Sequence, residues 1–121
     1  MIVVDSSGWI EFFTSGRHAA EYQKYLKDPH KVITPTIILY EVYKKIKREI
    51  SEDAALGAVS AMNQTKVVPL TESISLLAAD LSIKYALPMA DAIVYASALE
   101  MDCLVVTSDG HLKGLDKAVL I

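Results

Sequence analysis

Ile2-Val3-Val4-Asp5-Ser6-Ser7-Gly8, at one end of the chain, and Leu104-Val105-Val106-Thr107-Ser108-Asp109-Gly110, near the other, share a design. Each is a short, unbroken apolar run that ends in an Asp beside hydroxyl side chains and a Gly. An apolar run without alternation fits a strand covered on both faces, which is the condition of a parallel sheet packed between helices. Further strand candidates are Lys31–Ile33, Lys66–Pro69, Cys103–Val106 (which contains the second run) and Ala118–Ile121, alongside Ile2–Val4. Helical candidates lie between them: Gly8–Phe13, Ala19–Lys27, Thr36–Ile50, Asp53–Asn63, Glu72–Tyr85 and Met89–Met101. Thr36–Ile50 carries Leu39, Val42, Tyr43, Ile46 and Ile50 at helical spacing. Ser51 is placed to cap the Ala-rich helix after it. Pro35 and Pro88 stand where a helix accepts proline, at its first turn. Strands alternating with helices predict an α/β fold: a three-layer α/β/α sandwich around a mostly parallel sheet of about five strands, with residues 1–121 as one domain. In such sheets, sites form beyond the carboxyl ends of the strands.

Composition agrees with a buried sheet and limits the function classes. Of 121 residues, 52% are hydrophobic, and the mean hydropathy is +0.30. A doubly covered sheet accounts for part of this excess, and an apolar surface kept for a partner for the rest. Twelve Lys and Arg against fifteen Asp and Glu leave a net charge of -3, which argues against a general electrostatic nucleic-acid binder. A local basic patch with a bound cation remains compatible with that balance. Cys103, the one cysteine, falls in an apolar run and reads as a small buried hydrophobe. The N-terminus has no charged segment with a cleavage site, and no apolar run nears the ~20 residues that span a bilayer. The expected address is cytoplasmic, with no membrane partner.

Four acids stand out. Asp5 and Asp109 follow strands; taken singly, each reads as a helix cap, with Asp109-Gly110 also an ordinary turn pair. Asp91 opens Pro88-Met89-Ala90-Asp91-Ala92-Ile93-Val94-Tyr95-Ala96-Ser97-Ala98-Leu99, a helix small or apolar all round and therefore buried. There it either complements the helix dipole or, if desolvated, needs a cation or donors. Glu41 points away from the Leu39, Val42, Tyr43, Ile46 stripe; alone it reads as a solvated residue paired with Lys45. Mg²⁺ and Mn²⁺ take hard oxygen ligands and retain waters, so one or two direct carboxylates with others acting through water would suit these four acids. His18, His30, His111 and Cys103 show no zinc spacing, and neither a Gly-rich phosphate loop nor a Gly-x-Ser-x-Gly elbow occurs. His111, close to Asp109, reads as an exposed first-turn histidine and stays outside the catalytic set. Lys44, Lys45, Lys47 and Arg48, beside Glu41, form either a phosphate-holding cluster or a solvated helix face.

Taken in order, these elements resemble the PIN-domain family. Asp5-Ser6-Ser7 after the first strand looks like that family's opening, and Glu41 falls in the helix after the second strand, where the family carries an acid. Pro88-Met89-Ala90-Asp91-Ala92-Ile93 is similar to its Asp-Ala-hydrophobic helix start, and Thr107-Ser108-Asp109 to its Thr-x-Asp element. The resemblance spans the chain. It departs at Leu112, where the family often has an aromatic residue. Small members of this length resemble VapC toxins of prokaryotic toxin–antitoxin pairs. The resemblance implies an Mg²⁺- or Mn²⁺-dependent endoribonuclease, usually dimeric and neutralised by a small antitoxin. Carried over by position, Asp5, Glu41, Asp91 and Asp109 are the catalytic and metal-binding acids, and Ser7 and Thr107 orient them. The expected partners are an RNA substrate, a second copy of the chain and an antitoxin, with Ile37, Ile38, Tyr40 and the Ala-rich helix, within Thr36–Asn63, as part of the dimer interface. Two other readings compete. A receiver-like signalling domain needs an acidic pair after the first strand and an Asp after a middle strand; here serines follow Asp5, and the middle strand runs through Val67-Val68-Pro69-Leu70. A non-catalytic PIN-like binding module would not need all four acids.

Overall fold

The computed structural model describes residues 1–121. Five strands, β1 (Ile2–Val4), β2 (Val32–Pro35), β3 (Lys66–Val68), β4 (Leu104–Thr107) and β5 (Ala118–Leu120), form one sheet in the order β3-β2-β1-β4-β5. Every adjacent pair is parallel. Six helices accompany them: α1 (Ser6–Thr14), α2 (Ala19–Leu26), α3 (Thr36–Glu49), α4 (Glu52–Met62), α5 (Glu72–Tyr85) and α6 (Met89–Glu100), with 3-10 turns at Pro29–Lys31 and Gly110–Leu112. The chain steps outward from β1 through β2 to β3, then returns across the sheet to β4. Right-handed crossovers in opposite directions put α1 to α4 on one face of the sheet and α5 with α6 on the other, giving three layers. The reversal falls between β1 and β4, so their carboxyl ends flank the topological switch point.

The central strands are the apolar runs of the sequence. Val3, Val4, Val105 and Val106 are fully buried, as is Val32 of β2. Helix α6 is buried on all sides from Ala92 to Ala98, as a helix without a polar face must be. Ser51 accepts from the Ala54 N–H at 3.0 Å and caps α4; Thr71 caps α5 in the same way through Ile74.

Three local expectations differ. Strand β2 runs two residues further than the Lys31–Ile33 reading, through Thr34 and Pro35. Thr34 tolerates burial because its hydroxyl is hydrogen-bonded to that of Thr65 at 2.6 Å. Helix α1 starts at Ser6 instead of Gly8, since Asp5 supplies a cap at once. In α3 the buried residues are Ile38, Val42 and Ile46, one helical turn apart, while Ile50 is exposed at the end. Ile38 therefore belongs to the core and is removed from any dimer surface. Ala55, Ala58 and Met62 of α4 are likewise buried, α4 packing on α3.

Candidate functional site

Asp5 ends β1 and caps α1, and only 4% of it is exposed. One carboxylate oxygen accepts from the Ser6 N–H at 2.8 Å. The other accepts from the Thr107 hydroxyl, also at 2.8 Å, across 102 positions of sequence. The Asp5 N–H donates to the Val106 carbonyl at 2.9 Å, so main chain and side chain both tie the end of β1 to the end of β4. The Thr107 hydroxyl in turn accepts from the Asp109 N–H at 2.9 Å, so one side chain holds two acids in register. Asp109 caps the Gly110–Leu112 turn, accepting from the His111 N–H at 2.9 Å. The His111 ring folds back: its Nδ1 lies 2.8 Å from an Asp109 oxygen and 3.2 Å from an Asp91 oxygen. Asp91 reaches this point from the first turn of α6. Glu41 approaches from α3, half-buried beside Ser6 and close enough to feel the charges of Asp5 and Asp109.

The electrostatics follow from crowding. Burial pushes the Asp5 carboxyl above its ordinary value, against the hydrogen bonds from Thr107 and Ser6, and the charge of Asp109 adds to the rise. Glu41 is raised by burial and then by Asp5. Asp91 is pushed up to about 7 by burial, by its contact with Asp109 and by the charges of Asp109 and Asp5. Asp109 moves the other way. Burial is its largest single influence and acts upward, but the His111 N–H, the Asp91 carboxyl and the His111 ring together outweigh it. Asp91 and Asp109 therefore shift in opposite directions and titrate as a coupled pair.

The structure brings all four sequence-predicted acids to one end of the sheet. Thr107 touches Asp5 directly. Ser7 hydrogen-bonds to none of the acids; its hydroxyl accepts from Ser108 at 3.3 Å, and Ser108 accepts from the buried Tyr22 hydroxyl at 3.1 Å. This chain anchors the start of α1 to the loop after β4. His111 is the residue that sequence reasoning set aside. Its only signal was its place two residues after Asp109, within a turn short enough to fold the ring back.

Divalent-cation chemistry fits these residues. No Lys or Arg pairs with any of the four carboxylates, and the one cationic candidate in contact with them is His111. Asp91, Asp109 and His111 each offer a ligand atom within 4.8 Å of the others. Buried like charges without a counter-charge need an ion or protons, and hard carboxylate oxygens suit Mg²⁺ or Mn²⁺.

Comparisons with known proteins agree with this architecture. A comparison with curated protein sequences finds no match. Among solved structures, a chain of a toxin–antitoxin complex from Klebsiella pneumoniae superposes with a TM-score of 0.84 at 20% identity, covering 98% of this chain and 96% of that one. VapC20 of Mycobacterium tuberculosis, a toxin described as cleaving the sarcin-ricin loop, gives 0.76 at 21% identity over 91% of each chain. A chain of the DNA-bound VapBC complex of Salmonella typhimurium gives 0.78 at 13% identity, covering 100% of this chain and 98% of that one. At such identities the likeness is one of fold. The sequence itself matches the family model of the PIN domain over residues 2–118, nearly its whole length, and the chain therefore belongs to the PIN-domain family.

Proposed function

We propose that this protein is an Mg²⁺- or Mn²⁺-dependent endoribonuclease that hydrolyses RNA phosphodiester bonds, the toxin of a toxin–antitoxin pair. The observation that supports it is the gathering of Asp5, Glu41, Asp91 and Asp109 at the switch point without a Lys or Arg to balance them. In this reading the four acids hold the cation. Thr107 aims Asp5 through its hydroxyl and Asp109 through that residue's N–H. Ser7 acts less directly, by joining α1 to the β4 loop through Ser108. A bound divalent ion supplies positive charge for the phosphate in flight and makes a water more acidic. Glu41 and Asp91 reach the site from different helices, α3 and α6. His111, hydrogen-bonded to Asp109, keeps that carboxylate turned toward Asp91.

The Klebsiella relative is part of a toxin–antitoxin complex and the Salmonella relative is held in a DNA-bound VapBC complex; by analogy this chain is neutralised by an antitoxin. A cytoplasmic homodimer is part of the same reading, supported by the excess of apolar residues. No helix is long and apolar enough to cross a membrane. The deciding experiment is cleavage of structured and single-stranded RNA by purified protein with Mg²⁺ or Mn²⁺. Activity is expected to stop with EDTA and to fall to background in Asp5→Asn and Asp91→Asn. Undiminished cleavage by either variant would remove that residue from the site.

A further inference from the structure

Beside the acidic site lies a groove of opposite character, with a volume of about 360 Å³. Ser6 of α1 forms one wall; Tyr40, Lys44, Lys45 and Arg48 of α3 form the other, and Glu41 marks the end nearest the acids. The spacing explains the alignment. Residues 41, 44, 45 and 48 share one helix face and extend about 10 Å from the carboxylates. Its cations are largely unspent. Lys44 has no carboxylate partner and meets only the Tyr40 hydroxyl at 3.3 Å and its ring at 5.4 Å. Arg48 makes no ion pair, and Lys45 reaches Glu49 only at 3.9 Å, with both side chains about half exposed. Lys47, by contrast, turns out of the groove toward Tyr43 and Glu52, at 3.2 and 3.3 Å. In a chain of net charge -3, two cations without a carboxylate partner and a third held only by an exposed, long ion pair, all in one concavity next to an acid cluster, are a distinct recognition surface. Tyr40, 58% exposed, adds an aromatic ring beside them.

We propose that this groove is the subsite for the single-stranded segment of RNA that flanks the cleaved bond, with Lys44, Lys45 and Arg48 holding its phosphates and Tyr40 stacking one unpaired base. The assignment rests on the nuclease reading and extends it to the form of the substrate. Cations supply phosphate attraction without sequence preference, and an aromatic side chain stacks on bases only where they are splayed from a helix. A groove continuous with the acids through Glu41 and Ser6 holds the same strand whose phosphate meets the carboxylates. An acidic peptide from a protein partner would use the cations but has no need of the ring.

The test is binding without cleavage: fluorescence anisotropy of the full chain with a short single-stranded RNA oligonucleotide in EDTA, across a salt series. Lys44→Ala/Arg48→Ala is expected to weaken binding and to reduce the slope of log K against log salt by about 1.4, since each phosphate contact to a single strand contributes about 0.7. Tyr40→Ala is expected to weaken binding by roughly 5- to 100-fold and Tyr40→Phe to restore it. Lys47→Ala, outside the groove, should leave both quantities unchanged. All four substituted positions are exposed on α3, and unchanged melting confirms the fold. An unaltered slope in the double variant would overturn the proposal. So would a poly-glutamate peptide that binds with the same salt slope and is indifferent to Tyr40→Ala, because the groove would then be an acidic-peptide site. Asp5→Asn separates the two levels: it should abolish cleavage yet bind the oligonucleotide at least as tightly as the parent. Groove-dependent binding in a protein that cuts no RNA would sink the nuclease reading alone; cleavage without groove-dependent binding would sink the subsite alone.

Discussion

Asp91 carries the clearest consequence at the scale of a single residue. Its carboxyl rises from 3.8 to about 7 on folding, so between those values the folded chain binds more protons than the unfolded one. Stability then falls as pH rises through that window. Asp5 and Glu41 shift in the same sense, while the lowered Asp109 opposes them in part. The metal-free protein is therefore expected to melt at a higher temperature near pH 5 than near pH 8, and a melting temperature that climbs over this range would contradict the crowding. Asp91→Asn removes one of the repelling charges and keeps the shape. In EDTA near pH 8 it should melt at or above the parent's temperature and gain less from added Mn²⁺. If Asp91 only complements the α6 dipole, the variant should instead lose ~0.3–1 kcal/mol and keep the full metal response. Thr107→Val is a different kind of change. It deletes the hydroxyl that donates to Asp5 and accepts from the Asp109 N–H, leaving both without that partner. A cost of about 1–3 kcal/mol is expected in urea denaturation, with metal affinity, read by calorimetry, lower by about 10- to 100-fold.

At the scale of elements, the join between α1 and α2 is the most exacting. Gly8 lies in the first turn of α1, and a Cβ there would come within 2.6 Å of Tyr22 Cδ1 and 2.7 Å of Val4 Cγ1. Tyr22 is fully buried and its hydroxyl donates to Ser108, so its ring cannot simply swing aside. Gly8→Ala gains up to about 1 kcal/mol of helix propensity but should still be destabilising, by about 1–3 kcal/mol of overpacking; a neutral or stabilised variant in equilibrium unfolding would show that α2 can shift. Helix α6 was legible because an apolar helix without a polar face has only one place to go. Helix α3 was legible as a helix but not in its facing: Ile38 was assigned to the surface because the apolar stripe was drawn through Leu39 and Tyr43, which border the core half-buried instead. A helix this rich in apolar residues allows two neighbouring stripes, and only the packing of α1 and α4 against it chooses between them.

For the whole molecule, the exposed apolar side chains matter. Tyr40 lines the basic groove, while Leu70 and Met89 border a shallow cleft between α5 and α6 with Ala78 and Ile93. Leu76 and Ile83 of α5 are exposed as well. With Ile38 and the inner face of α4 buried and Tyr40 assigned to the groove, the dimer surface proposed for Thr36–Asn63 is reduced to the remaining outer residues, among them Ile50 and Leu56. Light scattering at micromolar concentration is expected to give twice the chain mass of 13.3 kDa, and a monomer would count against the dimer. Metal should stabilise the protein by mass action, by about 2.7 kcal/mol at a hundredfold excess over Kd. Absence of any melting shift with both Mg²⁺ and Mn²⁺ would leave the carboxylate cluster without its proposed ion.

What the sequence by itself determined is local. Unbroken valine-rich runs mark doubly covered strands, helical spacing marks the segments between them, and Asp beside hydroxyls marks strand ends, because hydrophobic period and turn chemistry act within a few residues. Asp5 and Asp109 could be singled out in this way and Asp91 by its apolar helix, whereas Glu41, alone a solvated residue, entered only through the resemblance to a family, which also grouped the four. Only the tertiary structure decided which strands are neighbours. Backbone ladders are made of groups that every residue carries, so no local pattern states that β1 pairs with β4 across the intervening hundred or so residues. That pairing sets Thr107 on Asp5. The return crossover then delivers Asp91 on α6, and the short turn after β4 folds the His111 ring between Asp91 and Asp109. The same packing of α1 against α3 turns a run of lysines and an arginine, indistinguishable in sequence from a solvated face, into a groove with Lys44, Lys45 and Arg48 inside it and Lys47 outside, since a helix shows its neighbours one face at a time.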